Sequence, residues 1–225
     1  MVKYKSLKEF LEEKPDKNDI YLDGAPIYPN TFPLKYRITS GTIIFMDLPN
    51  YTDFCKRNDF EKVIKYLNKF FAWMEAERGF SGIVDKYIGD EVMLVFLLES
   101  YDHPLKVSLK AAKFMIENDS WNYQPKIGIA NGKICVCELG TTKNKQISVI
   151  GSTVNIASRC VNSLKTKGGI RVASEDIKLI EEVFLDRNTW EIEGPYTREF
   201  KGIGNVKVID INMKVKRFIL DVDKI

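Results

Sequence analysis

GIVDKYIGDEVMLVF, the sequence of residues 82–96, contains two runs of β-forming residues on either side of a Gly-Asp-Glu turn. Apolar runs separated by a tight turn that contains glycine are typical of a β-hairpin, so two antiparallel strands are predicted over residues 82–98. Asp90 lies at the tip of this hairpin, where a carboxylate can point away from the core. The hairpin therefore presents an acidic side chain at one edge of the predicted sheet.

A second acidic residue, Asp47, follows an apolar run in the strand predicted over residues 41–48. If this strand lies beside the hairpin, Asp47 and Asp90 meet at the same edge of the sheet. Two adjacent carboxylates repel each other unless a cation lies between them, and oxygen ligands favour Mg²⁺ or Mn²⁺. The alternative is that each aspartate is a turn or capping residue, a common role for this side chain. These two stretches alone leave both interpretations open.

The composition is that of a soluble globular protein with a substantial core: 225 residues, 44% hydrophobic and 29% charged. A net charge of +3 is too small to indicate a nucleic-acid or membrane partner. The longest apolar run, residues 92–98, is far shorter than the ~20 residues of a membrane-spanning helix, and the N-terminal residues contain no apolar signal core. We therefore expect a cytoplasmic protein without a membrane span or a nucleic-acid partner.

The cysteine and histidine residues do not indicate a zinc site. The chain has four cysteines and one histidine, and no Cys-x-x-Cys pair. We expect Cys55, Cys135, Cys137 and Cys160 to be reduced, packed thiols. His103 precedes a proline at a predicted helix start, so we expect a surface or capping residue rather than a general base.

The remaining pattern predicts helices and strands in alternation. The expected helices cover residues 3–13, 52–78 with a break near Asn58-Asp59, 105–117, 152–161 and 174–183, the last capped by Ser174. The expected strands cover residues 41–48, the hairpin, residues 126–130 and 133–139 joined by a turn at Asn131-Gly132, and residues 147–150, 170–173, 190–192, 198–201 and 206–212. Residues 14–40 are rich in proline and predict an extended arm. This order predicts an α/β (α+β) sandwich, with a mostly antiparallel sheet flanked by helices.

Two further features suggest contacts with anions. Asn155 and Arg159 are four residues apart, so they share one face of the predicted helix and suit a phosphate or other oxyanion. The alternative is a solvated or helix-stabilising pair. Lys201 lies in the glycine-rich stretch KGIG, residues 201–204, where glycine either permits close approach of the backbone or serves only the loop geometry.

Three separated blocks of the sequence together resemble the class III nucleotidyl cyclase catalytic domain, the adenylate/guanylate cyclase family. The blocks are GTIIFMDLPNYTDF (residues 41–54), VDKYIGDEVMLVF (residues 84–96) and ISVIGSTVNIASR (residues 147–159). The resemblance covers about residues 41–212 and implies a ferredoxin-like βαββαβ core. It places this catalytic domain between an N-terminal helix and arm, residues 1–40, and a C-terminal tail, residues 213–225.

The resemblance implies a role for the residues around the first strand. Asp47 and Asp90 match the family's metal-binding aspartates, so two divalent ions, Mg²⁺ or Mn²⁺, are expected there, with the backbone carbonyl of Leu48 as a further ligand. The substrate would also contact the start of the following helix, at Asn50, Tyr51 and Thr52. The family usually has Gly-Phe at the first two of these positions, so the floor of the phosphate site differs here.

The resemblance also implies the substrate contacts. Lys86 matches the lysine that hydrogen-bonds the purine in adenylate-type members, and Ser148 stands where those members have aspartate or threonine. Asn155 matches the ribose-orienting asparagine, Arg159 matches the arginine that stabilises the transition state, and Lys201 matches the lysine that holds the polyphosphate. In the family the aspartates come from one protomer and the other groups from its partner. A homodimer with two composite sites is therefore expected.

The implied reaction converts a nucleoside triphosphate, with Lys86 favouring ATP, to the 3′,5′-cyclic monophosphate and pyrophosphate. Ser148 leaves the base open, so one alternative is a pyrimidine cyclase that makes cyclic UMP or cyclic CMP as an antiviral defence signal, with Tyr51 closing a smaller pocket. A second alternative is a catalytically silent nucleotide sensor. A third is a diguanylate cyclase, because residues 87–91 loosely resemble the Gly-Gly-Asp-Glu-Phe signature of that family, although the third block favours the class III assignment.

Overall fold

The computed structural model describes residues 3–13, 35–77, 81–141 and 143–214. Most of the predicted arm and tail, and residue 78 at the expected end of the long helix, lie outside the described residues. The helices are α1 (Leu7–Glu12), α2 (Tyr51–Arg57), α3 (Phe60–Glu77), α4 (Pro104–Glu117), α5 (Ser152–Ser163) and α6 (Ile177–Val183), with a short 3₁₀ helix at Leu98–Ser100. The strands are β1 (Tyr36–Asp47), β2 (Ile83–Ile88), β3 (Glu91–Leu97), β4 (Lys126–Thr141), β5 (Asn144–Ile150), β6 (Gly169–Ala173), β7 (Trp190–Phe200) and β8 (Gly204–Met213).

The strands described form one 8-stranded sheet in the order β2-β3-β1-β4-β6-β8-β7, and β5 pairs with the second half of β4. In this part of the chain β4 and β6 are parallel, and the other paired strands are antiparallel. The prediction of a mostly antiparallel sheet flanked by helices is confirmed. The expected ferredoxin-like arrangement is present in strands β2, β3, β1 and β4, which lie side by side in this order. Helices occupy the connections before β2 and after β3.

Both faces of the central strands are buried, which explains their unbroken apolar sequence. Ile44 and Met46 of β1 pack in the cluster that contains α3, α4 and α6. Ile43 and Phe45 point the other way, into the cluster that contains α1 and α5. The residues of β3 alternate between the two clusters in the same manner. In β1 and β3 the charged residues consequently lie near the strand ends, at Arg37, Asp47 and Glu91.

The predicted turn at Asn131-Gly132 is wrong, because β4 runs unbroken through both residues. Asn131 Oδ1 accepts a hydrogen bond of 2.8 Å from Thr42 Oγ1 on the neighbouring strand. A Cβ atom on Gly132 would lie 2.8 Å from Thr153 Oγ1 of α5. Glycine is therefore needed here for the close packing of a helix on the strand, and the actual turn lies between β4 and β5.

Several strands are longer than predicted because pairing with a neighbouring strand extends them beyond their apolar runs. β1 begins at Tyr36, opposite Cys137, rather than at Gly41. β5 begins at Asn144, opposite Thr141, rather than at residue 147. The two strands predicted over residues 190–192 and 198–201 form one strand, β7, with a bulge in its middle.

The helix boundaries agree more closely with the sequence. The predicted break near Asn58-Asp59 is confirmed, since α2 ends and α3 begins on either side of it. His103 is exposed at the position before α4, and its side chain makes no capping hydrogen bond. Ser174 does not cap α6. Asp176 does, because its Oδ1 accepts a 3.0 Å hydrogen bond from the Leu179 N–H.

A buried polar network ties the end of α5 to strands β6, β7 and β8. Arg171 Nε and Nη2 each donate to a carboxylate oxygen of Asp210 at 2.6 Å. Arg171 Nη1 donates to Ser163 Oγ at 2.7 Å, and the Tyr196 hydroxyl donates to Asp210 at 2.8 Å. The paired charges satisfy each other's hydrogen bonds, so the network holds α5, which carries Asn155, in a defined position.

Replacing Asp210 tests this network. Asp210→Ala leaves the Arg171 guanidinium buried without its carboxylate, so we expect the free energy of unfolding to fall by about 3–5 kcal/mol. Tyr196→Phe removes one hydroxyl from the same network and should cost about 1 kcal/mol. Both values follow from urea denaturation. A loss in the alanine variant no larger than that in the phenylalanine variant would contradict the assignment of Arg171–Asp210 as the centre of the network.

Candidate active site

The predicted metal-binding aspartates lie where β1 and the β2–β3 hairpin end side by side. Asp47 is the last residue of β1, and Asp90 lies in the hairpin turn directly before β3. Met46 pairs with Val92, so both carboxylates are at the same edge of the sheet, as the sequence predicts. Gly89 has a φ of 64°, which glycine adopts readily and which lets the turn present Asp90 at this edge.

The side chains of Asp47, Asp90 and Glu91, here called the acidic edge, repel one another. Burial, followed by the charge of Asp47, raises the pKa of Asp90 to about 6. Burial, followed by the charges of Asp47 and Asp90, raises the pKa of Glu91 to about 7. Lys126 on β4 offsets part of the repulsion, since its Nζ lies 2.5 Å from Asp47 Oδ2. The excess negative charge would be relieved by a divalent cation.

The donor atoms at this edge suit a hard cation. Asp47 and Asp90 offer carboxylate oxygens. The side chain of Leu48 is buried in the core, so only its backbone could contribute. Across the described ranges, no group of three or more His, Cys, Asp or Glu side chains is arranged to hold an ion. The two aspartates therefore fit an ion that takes its other ligands from backbone, water and substrate oxygens, as Mg²⁺ commonly does.

The segment after Asp47 turns sharply into α2. Asn50 has a φ of 66°, and asparagine tolerates this left-handed conformation better than most residues, so it can replace the family's usual glycine. A hydrogen bond with Cys55, then burial and the charges of Cys55 and Asp90, raise the pKa of Tyr51 to about 12. Thr52 is exposed on the same turn of helix. Among Asn50, Tyr51 and Thr52, Tyr51 is thus the residue whose pKa is affected by the charge of Asp90.

The two residues predicted to recognise the base contact each other. Lys86 Nζ on β2 donates a hydrogen bond to Ser148 Oγ on β5. These strands are not neighbours, because β2 lies at one end of the sheet and β5 pairs with β4. The sheet must therefore curl to bring them together. Ser148 is buried and Lys86 is partly exposed, so the pair forms the wall of a potential base site.

Asp85 and Cys137 belong to the same cluster and were missed by the sequence analysis. Asp85 Oδ2 lies 3.1 Å from Lys86 Nζ, and its side chain is only 1% exposed. Cys137 pairs with Ser148 in the sheet, and burial followed by the neighbouring Cys135 and Asp85 raises the pKa of its thiol to about 11. The adjacent charges of Asp85 and Lys86 interrupt the apolar alternation of β2, which was the one available signal.

Lys126 was also missed. It stands at the start of the strand predicted over residues 126–130, so its position was correct, but its partner depends on the pairing between strands. The register places it directly opposite Asp47. Sequence alone does not give that register.

The remaining predicted site residues, Asn155, Arg159 and Lys201, are exposed. Asn155 and Arg159 are on the solvent side of α5, as the four-residue spacing predicts. Lys201 lies in the turn between β7 and β8, where Gly202 and Gly204 have positive φ. Within the described residues, none of these three side chains makes a hydrogen bond or an ion pair. They are available to contact a substrate or a second protein chain.

The other sequence predictions concern the thiols and the membrane. All four cysteines are free, and Cys137 and Cys160 are buried. Burial raises the pKa of Cys160 to about 12, in agreement with a packed thiol. In the described part of the chain, none of the helices combines the length and the apolar character that crossing a bilayer requires.

Comparison with known proteins identifies the family of the domain. The family model described as the adenylate and guanylate cyclase catalytic domain matches residues 35–214. The adenylate cyclase of Anabaena cylindrica is 30% identical over 139 residues, which cover 56% of this chain and 28% of that protein. This chain spans 25–28% of the length of that and similar bacterial relatives.

Solved structures show the same fold. The adenylyl cyclase CyaB from P. aeruginosa superposes with a TM-score of 0.64 at 21% identity, covering 83% of this chain and 99% of that chain. The guanylyl cyclase Cya2 gives a TM-score of 0.62 at 21% identity, covering 78% of this chain and 92% of that chain. Because the family model extends over most of the sequence, the chain belongs to the class III adenylate and guanylate cyclase catalytic domain family.

Proposed function

We propose that this chain converts ATP to 3′,5′-cyclic AMP and pyrophosphate at composite sites of a homodimer. The contact between Lys86 and Ser148 carries the proposal. It holds an ammonium donor beside a hydroxyl that can donate or accept, which is the pair of groups needed to read the edge of a base. Adenine offers an acceptor at N1 and a donor at its 6-amino group, so it complements this pair.

The same reasoning ranks the other bases. Cytosine presents the same pattern, an acceptor at N3 beside a 4-amino donor, so CTP is the competing substrate. Guanine and uracil present a ring N–H and a carbonyl in the corresponding places, which sets a donor against the Lys86 ammonium. The size of the pocket, to which Tyr51 contributes in this proposal, would then separate adenine from cytosine.

Cyclisation requires the ribose 3′-hydroxyl to attack the α-phosphorus in line and to expel pyrophosphate. Two divalent ions held by Asp47, Asp90 and the Leu48 carbonyl would lower the pKa of that hydroxyl and offset the charge of the triphosphate. Lys126 adds a positive charge at the same edge, within reach of phosphate oxygens bound beside Asp47.

The exposed cations supply the rest of the proposed site. Arg159 and Lys201 suit the charge that develops on the α-phosphoryl oxygens and the leaving group. Asn155 would orient the ribose, and such orientation accounts for a large part of the rate in reactions of this kind. Their exposure, with no partner among the described residues, supports a site completed by the second protomer of a dimer.

A product assay tests the proposed reaction. Purified protein with Mn²⁺ receives ATP, GTP, CTP and UTP separately, and products are identified by mass. We expect cyclic AMP, and we expect Asp47→Asn to reduce turnover by roughly a hundredfold or more, because charge stabilisation at the reacting phosphate is lost. Asp102→Asn, an exposed aspartate in the loop before α4, is the matched control and should retain full activity.

The alternatives give different results in this assay. Cyclic CMP or cyclic UMP as the main product would replace the adenylate proposal with the pyrimidine one. Nucleotide binding without any cyclic product would contradict catalysis and support a silent sensor.

Mixing two inactive variants tests the composite site. Asp47→Asn and Arg159→Ala should each be inactive alone. In an equal mixture that exchanges protomers, the mixed dimers contain one intact site each, so activity should return to about a quarter of the wild-type value. Activity is measured after co-refolding or prolonged incubation, with size-exclusion chromatography to establish the dimer. No recovery in a mixture that forms dimers would contradict the proposed sharing of residues.

The acidic edge predicts an unusual pH dependence. The raised pKa values of Asp90 and Glu91 mean that the folded protein keeps protons that the unfolded chain releases, so stability without metal falls as pH rises from about 4 to about 7. Glu91→Gln should therefore raise the melting temperature at pH 8 and change it little at pH 4. Mn²⁺ should stabilise the wild-type protein more at pH 8 than at pH 5, since its ligands must be deprotonated. Thermal unfolding measures both, and equal Mn²⁺ effects at the two pH values would contradict the site.

A further inference from the structure

We propose that Asp85 is a positioning residue that orients Lys86 for base recognition and thereby selects the bases the site accepts. The inference rests on the proposed function, because it concerns the same base site. It depends on three observations: a bulge in β2, a buried carboxylate in contact with the Lys86 ammonium, and the hydrogen bond from that ammonium to Ser148.

The bulge brings Asp85 to Lys86. Val84 pairs with Leu94 and Lys86 pairs with Met93, so Asp85 is an extra residue without a partner on β3. In a regular strand the side chains of adjacent residues point to opposite faces. Bulges change this alternation and often redirect a side chain beside an active site. Here the redirected carboxylate lies 3.1 Å from the neighbouring ammonium, although β2 is an edge strand.

The Asp85 carboxylate retains unused acceptor capacity. Oδ1 has no hydrogen-bond donor among the described residues, and for Oδ2 the structure gives only the Lys86 ammonium, 3.1 Å away. The Lys86 ammonium is in ionic contact with Oδ2, but it directs its hydrogen bond to Ser148. Burial raises the pKa of Asp85, against the opposing effect of Lys86. The buried Asp85 carboxylate therefore depends on the Lys86 ammonium for compensation of its charge, so each of the two side chains restrains the other.

The pairing restricts what Lys86 can do. A lysine ammonium has three donors that rotate freely on a flexible side chain. With one side held by Asp85 and one proton directed to Ser148, the remaining donor has a defined direction towards a base. That donor needs an unprotonated ring nitrogen, which adenine and cytosine have and which guanine and uracil lack at the corresponding position.

The buried charge also limits which residue can occupy position 86. A glutamate beside Asp85 would place two carboxylates at contact distance in a buried cluster, which strongly disfavours ionisation of both. Asp85 thus commits this chain to a cation at position 86, and to the bases that a cation can read.

The test measures binding and turnover separately. Equilibrium affinity is determined for the four 3′-deoxynucleoside triphosphates, which lack the attacking hydroxyl, in the presence of Mn²⁺. Steady-state kinetics with the natural nucleotides then give kcat and KM. The variants are Asp85→Asn, Lys86→Ala and the double substitution, with Asp85→Leu as a second variant that fills the volume without polar atoms.

We expect Asp85→Asn to weaken the binding of 3′-deoxy-ATP about tenfold, the scale of one charge-assisted contact, and to reduce the preference for ATP over GTP and UTP. The change should appear in KM more than in kcat. In the Lys86→Ala background the same substitution should have no further effect, because Asp85 acts through Lys86. Lys86→Glu should bind 3′-deoxy-GTP only when combined with Asp85→Asn.

Asp119→Asn is the matched control. Asp119 is also a buried aspartate whose pKa burial raises, but it accepts the backbone N–H groups of Tyr123 and Gln124, in the loop after α4. Its substitution should lower stability and leave base selectivity unchanged.

Two outcomes would overturn the inference. One is unchanged affinity and selectivity in both Asp85 variants. The other is full additivity of Asp85→Asn and Lys86→Ala. A wild-type protein that binds nucleotide without cyclising it, while Asp85→Asn alters selectivity, would overturn the proposed reaction and leave this inference standing.

Discussion

The repulsion between carboxylates at one edge of the sheet is the constraint on which the active site depends. β1 and β3 are apolar on both faces, because helices cover each side of the sheet. Charged groups are costly within such strands, so the first acidic residues occur where burial ends, at Asp47 and at the hairpin turn. The pairing of Met46 with Val92 brings the ends of both strands together. The packing of the core therefore determines where negative charge accumulates.

The positively charged side chains are distributed differently from the acidic ones. Lys126 faces Asp47 from the adjacent strand, and Lys86 is held at the other cluster by Asp85 and Ser148. Arg159 and Lys201 are exposed, with no ionic partner in the part of the chain described. In the described residues, the chain thus has an acidic edge with too little positive charge and two exposed cations without an ionic partner. Two copies could match these surfaces, with substrate and metal between them.

Many features of the fold and of the candidate site could be predicted from the sequence because they depend on local patterns. Periodicity and turn residues predict the hairpin, the apolar strands that end in aspartate and the break between α2 and α3. Periodicity also predicts that Asn155 and Arg159 share one helix face. The prediction of a turn at Asn131-Gly132 was wrong, because the packing of α5 against β4 outweighed the strong local preference of Asn-Gly for a turn. Lys126 and Asp85 were not recognised because their partners depend on strand register and on a bulge, which are properties of the folded sheet.

The polar groups of this fold fall into two classes, and the difference separates structure from function. Arg171 and Asp210 are buried with their hydrogen bonds satisfied, and their network stabilises the end of α5. Asp85 Oδ1 has no hydrogen-bond donor among the described residues, and the carboxylates of the acidic edge repel one another. Each unsatisfied group lowers the stability of the free protein and would be relieved by a ligand. At the acidic edge and at Asp85, which belong to the proposed site, a bound metal ion and nucleotide would gain binding energy by removing that cost, whereas buried atoms such as Trp73 Nε1 and Asn212 Oδ1, which also have no hydrogen-bond partner among the described residues, are not part of that site.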